Sequence, residues 1–400
     1  MQKKLIALAV ATLAAGSAFA QSNVTISGFI SSGYAITSYA GGNGVRPAGT
    51  LTIPGTPGPA IDISNKLPFA AGAKTNGREQ GVIDSRLSRI RFAGTEDLGN
   101  GLKAEFQVES RFMSDTSDPT AGLGALGVGD TFVGLNGNWG RLRLGRMDTY
   151  YADGILIEML GGTASQSFAT LSLLTQVDSL SYHATAGRWN NQVRYDTPRI
   201  NGFAGTVAYS SNRAAEDGAA ANNADQGGAW YASANYFAGA VYAGISAQQH
   251  STEGATDNKS SGWRTYGSYT FPVGIKIGLS YDHGRQGAAG GAWLKRNAWF
   301  VPVSYKFGNN TVLGSYGRAG QTKRNTGSID DSGARFYNLS YNYELSRRTN
   351  IGVNYTVLKN KDNSAYDLLL GGVVKGAGQT QPTSYGQSVK QFAVSIAHTF

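Results

Sequence analysis

The chain has 400 residues, 55 of them Gly and 21 Tyr, with only 15% charged residues, no Cys and a formal net charge of +9. Its wealth of aromatic residues excludes a disordered chain, and the lack of Cys excludes a disulfide scaffold. The positive balance does not imply nucleic-acid binding, because Lys and Arg are scattered through alternating segments instead of forming one basic stripe.

Lys3 and Lys4 precede an apolar run from Leu5 to Ala15 and the small-residue end Ala18-Phe19-Ala20. That order is a secretory signal peptide over residues 1–20, with cleavage expected after Ala20. The apolar run is shorter than the ~20 residues that a spanning helix requires. Residues 21–400 are then one exported domain, and no linker divides it into two cores.

Beyond the leader, strand-sized segments recur in which every second residue is apolar. Leu102, Ala104, Phe106 and Val108 alternate with Lys103, Glu105, Gln107 and Glu109. Phe203, Val207 and Tyr209 follow the same rule. So do Ile275, Ile277, Leu279 and Tyr281, which alternate with Lys276, Gly278, Ser280 and Asp282. Trp299 to Phe307, Tyr337 to Tyr343 and Ile351 to Val357 form further rows. Period-two alternation places one set of side chains on each face of a strand. The last of these strands, Gln391 to Phe400, runs to the chain terminus with Phe392, Val394, Ile396, His398 and Phe400 on one face. An apolar strand left at an open edge invites aggregation, whereas a closed barrel uses it as the final stave.

Short turns are expected at Gly94 to Gly101, Asn138 to Gly140, Pro198 to Gly202, Phe271 to Gly274, Gly308 to Asn310 and Leu345 to Arg348. Long connections are expected at Ala40 to Gln80, Met113 to Gly127, Asn212 to Gly227, His250 to Gly262, Gly284 to Lys295, Gly320 to Gly333 and Lys359 to Gly386. Long and short alternate, as in outer-membrane barrels with turns on one side and loops on the other. The fold class is therefore all-β, a sixteen-stranded antiparallel transmembrane β-barrel. One connection, Met147 to about Gly187, is too long for a simple surface loop and too apolar over Tyr150 to Leu174 to be fully solvated. A loop that folds inward onto the barrel wall reconciles both facts; an ordinary extracellular loop is the alternative.

Several local patterns coincide with a known family. They are Ser88-Arg89-Ile90-Arg91-Phe92-Ala93-Gly94-Thr95-Glu96-Asp97-Leu98-Gly99, Phe132-Val133-Gly134-Leu135, Gly140-Arg141-Leu142-Arg143-Leu144-Gly145-Arg146, Arg188 with Asn191 and Arg194-Tyr195-Asp196, and the terminal His398-Thr399-Phe400. With these pieces in order along the mature chain, it resembles the Gram-negative general diffusion porins, particularly their β-proteobacterial branch. The resemblance implies a homotrimer, a third extracellular loop folded into the pore, and a C-terminal Phe400 read by the outer-membrane assembly machinery. Two departures stand out. Gly129-Asp130 replaces a basic residue frequent before Phe132, and Glu158-Met159-Leu160-Gly161-Gly162 only loosely matches the family's Pro-Glu-Phe-Gly-Gly run.

Parity assigns the lumen. With Ile90, Phe92, Leu142 and Leu144 toward lipid, Arg89, Arg91, Arg141 and Arg143 face inward. By the same rule Arg188 and Arg194 oppose Trp189, Val193 and Tyr195, and Lys103 and Arg111 oppose Phe106 and Phe112. An arginine facing lipid at the bilayer midplane costs about 2–4 kcal/mol. The third loop is expected to supply the acids Asp148, Asp153 and Glu158, opposite this basic wall. Glu105, Glu109 and Asp196 belong to the walls, leaving a positive surplus that favours anions. Pairing of individual arginines with Glu105 and Glu109 is the alternative to open lining. Arg146 falls on the wrong parity for the lumen, which suits a strand-end or subunit contact. The expected function is passive diffusion of small hydrophilic solutes and ions across the outer membrane, with a mild anion preference and outer-membrane lipid around the barrel.

Other chemistries find little support. Gly122 to Gly127 fits G-x-G-x-x-G but lacks the strand before and helix after that dinucleotide binding requires. His183, His250, His283 and His398 are far apart in sequence and show no metal-ligand spacing. No cofactor or metal is expected. The best enzyme candidate is Asp282-His283, read as a strand end at the outer rim.

Overall fold

Alternation on this scale can satisfy its backbone in lipid only if the sheet closes on itself, since no water is present to bond an open edge. The computed structural model describes residues 23–42, 50–51, 61–62, 77–83, 88–114, 126–149, 153, 157, 174, 177, 188–211, 228–252, 258–287, 293–366, 368 and 385–400. Within them sixteen staves form one closed antiparallel barrel. They are β1 (Asn23–Gly41), β2 (Gly77–Ile83 and Arg89–Gly99), β3 (Leu102–Arg111), β4 (Thr131–Gly137), β5 (Gly140–Asp148), β6 (Arg188–Asp196), β7 (Phe203–Ser210) and β8 (Ala229–Ala238). The second half comprises β9 (Val241–Thr252), β10 (Asn258–Thr270), β11 (Ile275–Gly287), β12 (Trp293–Phe307), β13 (Asn310–Ala319), β14 (Ala334–Glu344), β15 (Thr349–Asn360) and β16 (Gln387–Thr399). Both segments of β2 pair with β1, so they are one interrupted stave. β1 closes the ring against β16, from Phe29↔Thr399 to Gly41↔Gln387. Phe400 completes the seam by exchanging backbone hydrogen bonds of 3.1 Å with Gly28.

The alternation has the expected sense. Leu339 is 59% exposed and its neighbour Ser340 1%, while Val394 is 47% exposed and its neighbour Ser395 5%. Exposed aromatics cluster near the short turns, with Tyr269 against Phe271 and Tyr305 against Phe307 at ring separations of 4.7 and 5.0 Å. Leu339→Arg is expected to lower the barrel's unfolding free energy by about 2–4 kcal/mol. Reversible denaturation in lipid bilayers measures this; a change within error would put Leu339 away from hydrocarbon.

Boundaries differ from expectation in three respects. Gly94 to Gly101 is not a turn: β2 continues to Gly99, and the reversal is confined to Asn100 and Gly101. Asn100 has φ 52° and Gly101 φ 77°, the left-handed backbone that Asn and Gly tolerate best. A turn at Gly239-Ala240, hidden in an unbroken small and aromatic run, separates β8 from β9. The strands around His250 to Gly262 and Gly284 to Lys295 extend further than expected, shortening both connections to 253–257 and 288–292.

A fourth difference concerns parity. Asn190 and Asn191 of β6 stand opposite the single Arg146 of β5, and Asn191 has φ 49°. This bulge shifts the alternation by one residue. Trp189, expected toward lipid, is 1% exposed and packs with Ala208, Ala229 and Tyr231 on the inner face. Arg146 reaches the Val128 carbonyl and the Asn190 side chain, so it buttresses the bulge.

The leader, residues 1–20, the central part of the first long connection and most of Tyr150 to Leu174, including Glu158, lie outside the described residues.

Candidate functional site

The inner faces of β2 to β6 carry a dense set of guanidinium groups, each tied to a carboxylate on its own or a nearby strand. Glu109 on β3 is the hub of one group. Arg91 Nη2 donates to its Oε2 at 2.7 Å, Arg111 Nε to its Oε1 at 2.8 Å, and Arg89 Nη1 lies 3.7 Å away. The β2–β3 register puts Arg89 opposite Arg111 and Arg91 opposite Glu109, so three cations converge on one acid. Arg141 on β5 grips Glu105 with two bonds of 3.0 Å, across β4.

A second group centres on Asp196 of β6, which accepts from Arg143 and from Arg194 Nε at 2.9 Å. Arg194 Nη1 also donates to the Asp148 carbonyl at 2.8 Å. The Arg143 guanidinium lies 4.9 Å from the centroid of Phe132, a cation–π contact. Lys103 shares the parity of Glu105 but is exposed beside the turn at Gly101.

Beyond the bulge, Arg188 spans Asp130 and Asp148 at 2.8 and 2.7 Å. The re-phasing of β6 removes the alternation that assigned Arg188 to the lumen; its partners now define its place. Asp148 is corrected likewise, from a loop acid to the last residue of β5. Asp130, part of the Gly129-Asp130 departure from the family pattern, supplies the second carboxylate. Burial raises the Asp130 carboxyl above the usual carboxylate range, and neighbouring Asp148 adds to the rise.

Sequence reasoning missed a third group on the opposite wall. Arg264 (β10) and Arg296 (β12) share Asp282 (β11), at 3.1 and 3.3 Å, and all three side chains are 0% exposed. Arg264 Nη1 donates to the Asp153 carbonyl at 2.7 Å, and both arginines reach the Leu174 carbonyl at 3.2 Å. Tyr231 donates its hydroxyl hydrogen to Asp153 Oδ2 at 2.7 Å. Burial pushes the Asp153 carboxyl upward. Ile157 and Leu174 pack with Tyr266 and Phe300, so residues of the third long connection touch β8, β10 and β12. The signal was available: with Trp299 and Tyr281 outward, parity turns Arg296 and Asp282 inward.

The Asp282-His283 pair does not form a catalytic unit. β11 runs on to Gly287, so the pair is not a strand end. Asp282 is consumed by two arginines, while His283 lies on the outer face, bonded through Nδ1 to Asn297 Oδ1 at 2.7 Å and stacked on Trp263.

Seven arginines of the β2–β6 wall thus meet five carboxylates, a surplus of two positive charges in ionised form. Arg91 and Arg141, each with a 39% exposed side chain, are the most accessible of them.

Comparison with known proteins agrees with this architecture. A family model described as Gram-negative porin matches residues 7–363. Outer membrane porin protein 32 of Delftia acidovorans is 29% identical over 412 residues, covering 100% of both chains. An outer membrane porin protein of Bordetella pertussis is 28% identical over 391 residues, covering 88% of this chain and 92% of the relative. Among solved structures, an anion-selective porin from Comamonas acidovorans superposes with a TM-score of 0.69 at 24% identity, covering 95% of this chain and 100% of that one. A closed barrel of sixteen staves with a polar, arginine-rich inner wall, matched by the family model over most of its length, belongs to the Gram-negative porins of the outer membrane.

Proposed function

We propose that the barrel is a water-filled channel for passive diffusion of small hydrophilic solutes and ions, with a mild preference for anions. The observation that carries this reading is the charge surplus on the β2–β6 wall, where Arg89, Arg91, Arg111, Arg141, Arg143 and Arg194 line the lumen and Lys103 stands at its short-turn mouth. Rings of Arg and Lys favour anions, and a polar wall stays wet where a bare apolar one would empty. The third long connection folds inward and narrows the passage. In support, Asp153, Ile157 and Leu174 contact strands well removed from β5, the strand that leads into that connection. Asp153 and Glu158 are the acids of this constriction, Arg188 acts through Asp130 and Asp148 at its edge, and no cofactor or catalysis is involved.

The chain reaches the outer membrane through its leader, cleaved after Ala20, and the assembly machinery reads Phe400. It works as a homotrimer. The relatives' porin names and the anion selectivity of the Comamonas structure agree with this reading.

Single-channel recording in a planar bilayer tests it. Stepwise closures in threes and a reversal potential of anionic sign in a salt gradient are expected. Acidification should strengthen the anion preference early, because Asp130 and Asp153 take up protons at a higher pH than ordinary carboxylates. Their raised values also mean that the folded state binds protons more tightly than the unfolded one. Stability contributed by these two groups therefore falls as pH rises from the ordinary carboxylate range through the raised values. Clear cation selectivity at neutral pH would overturn the reading.

A further inference from the structure

We propose that the inner wall of β8 to β10 is a path for aromatic carboxylates, solutes that join a flat ring to an anionic group. This inference deepens the transport reading and rests on it. The wall carries a ladder of rings on its lumen side. On β8, Tyr231, Asn235 and Phe237 share one face, while Trp230, 61% exposed, marks the lipid side. Tyr242 shares its face of β9 with buried Ser246 and Gln248, and Tyr266 shares its face of β10 with buried Arg264. Phe237 stands directly opposite Tyr242 and stacks on it at 4.7 Å; Tyr242 meets Tyr266 at 5.7 Å. Tyr231 and Phe237 lie six positions apart, so at a strand's rise per residue the rings cover about 20 Å of β8. The ladder runs from the turn at Gly239 to the level of Asp153, which accepts the Tyr231 hydroxyl.

A cation stands at each end. The guanidinium of Arg199, exposed in the turn before β7, lies 4.2 Å from the centroid of Phe237. That of Arg194 lies 5.9 Å from the centroid of Tyr231. Midway sits a neutral donor. The Tyr266 hydroxyl donates to Asn235 Oδ1 at 2.7 Å and the Tyr242 hydroxyl at 3.3 Å, while the Asn235 amide N–H groups make no hydrogen bond among the described residues. Gly244 permits this arrangement, because a Cβ there would collide with the Tyr266 ring and with Asn235 Oδ1. Asn235, Phe237 and Tyr242 are only half-buried, so the lumen reaches them. Conduction of simple ions needs a polar wall and no rings. Rings facing the lumen attract a passing ring by offset or edge-to-face stacking, and the arginines and the Asn235 amide hold its carboxylate. A polyol fits less well, since the Tyr242 and Tyr266 hydroxyl hydrogens are already committed to Asn235.

The test uses the full protein in a planar bilayer bathed in potassium chloride, with benzoate or cyclohexanecarboxylate added to both sides. The two anions match in charge and nearly in size, and only benzoate has a flat π face. Benzoate should reduce the chloride current at about a fivefold lower concentration than its saturated analogue, the worth of one ring-on-ring contact. Phe237→Leu/Tyr242→Leu should erase that difference. Arg199→Gln should weaken block by both anions about threefold and keep benzoate ahead. The wild-type contrast decides even if the double variant fails to fold. Equal block by the two anions in the wild type, or a benzoate advantage that survives in a folded double variant, would overturn the inference; the chloride current would then leave the channel reading standing. Block by glucose as strong as by benzoate would overturn it too, by assigning the wall to polyols. A barrel that passes no chloride would overturn both readings.

Discussion

Asp282→Asn is expected to lower the unfolding free energy by about 3–5 kcal/mol, because it removes the carboxylate that two fully buried guanidinium groups share. An exposed pair would contribute about 0–1 kcal/mol, so the size of the loss reports the dryness of this site. Arg264 and Arg296 also bond the carbonyls of Asp153 and Leu174. Their displacement should therefore loosen the third connection and add brief closures to the current. Stability and positioning separate in the triple variant Arg264→Met/Asp282→Leu/Arg296→Met. Apolar replacement of a whole buried ion cluster is often neutral or stabilising, so the barrel should recover its stability while the closures persist. Equilibrium denaturation and single-channel noise are the two readouts. A quiet channel in the triple variant would show that the arginines do not hold the connection.

Arg91→Gln/Arg141→Gln should remove most of the anion preference. A unit charge about 10 Å from the ion path contributes about 0.4 kcal/mol in water, reduced to about 0.15 kcal/mol by screening at 0.1 M salt. Acting oppositely on anions and cations, two such charges change the permeability ratio about threefold at 0.1 M and about sevenfold at 0.01 M. These two arginines are chosen because their side chains are the most exposed of the wall, whereas Arg143 and Arg194 are held by the half-buried Asp196. Reversal potentials at the two salt concentrations check both the size and the salt dependence. An unchanged ratio would mean that Glu105 and Glu109 already neutralise both guanidinium groups as far as a passing ion is concerned.

The inner wall shows how an alternative left open by the sequence was resolved. Every arginine of the β2–β6 wall has an acidic partner, so the charges are paired, yet they remain unequal in number. Three arginines share Glu109 and two share Asp196. Pairing fixes the guanidinium groups in place; the imbalance gives the wall its field. Such a wall is rigid, since moving one arginine leaves a nearly buried carboxylate exposed to its loss.

Much of the fold was legible because the period of a strand is a local property. Pleating sends neighbouring side chains to opposite faces whatever the rest of the chain does. Alternation alone thus turns Phe392, Val394 and Ile396 outward and Arg89, Arg91, Arg141 and Arg143 inward, without any knowledge of strand order. Turn chemistry is local too, and it located the reversals at Asn138, Gly274 and Gly308. What failed was also local in cause: a left-handed Asn191 inserted one residue, and Trp189 changed faces. A bulge carries no period of its own, so counting cannot anticipate it.

The sequence by itself determined a closed sheet of alternating staves, which face of each stave is oily, and a basic excess opposite that face. Only the tertiary structure decided who pairs with whom. Arg264 meets Leu174 across 90 residues of chain, and Thr322 meets Val177 across 145. Arg318, Arg335 and Lys359 fall into one row only because register aligns three strands. Side-chain direction follows from backbone geometry within a few residues, whereas contact across a barrel depends on the summed stagger of every strand between.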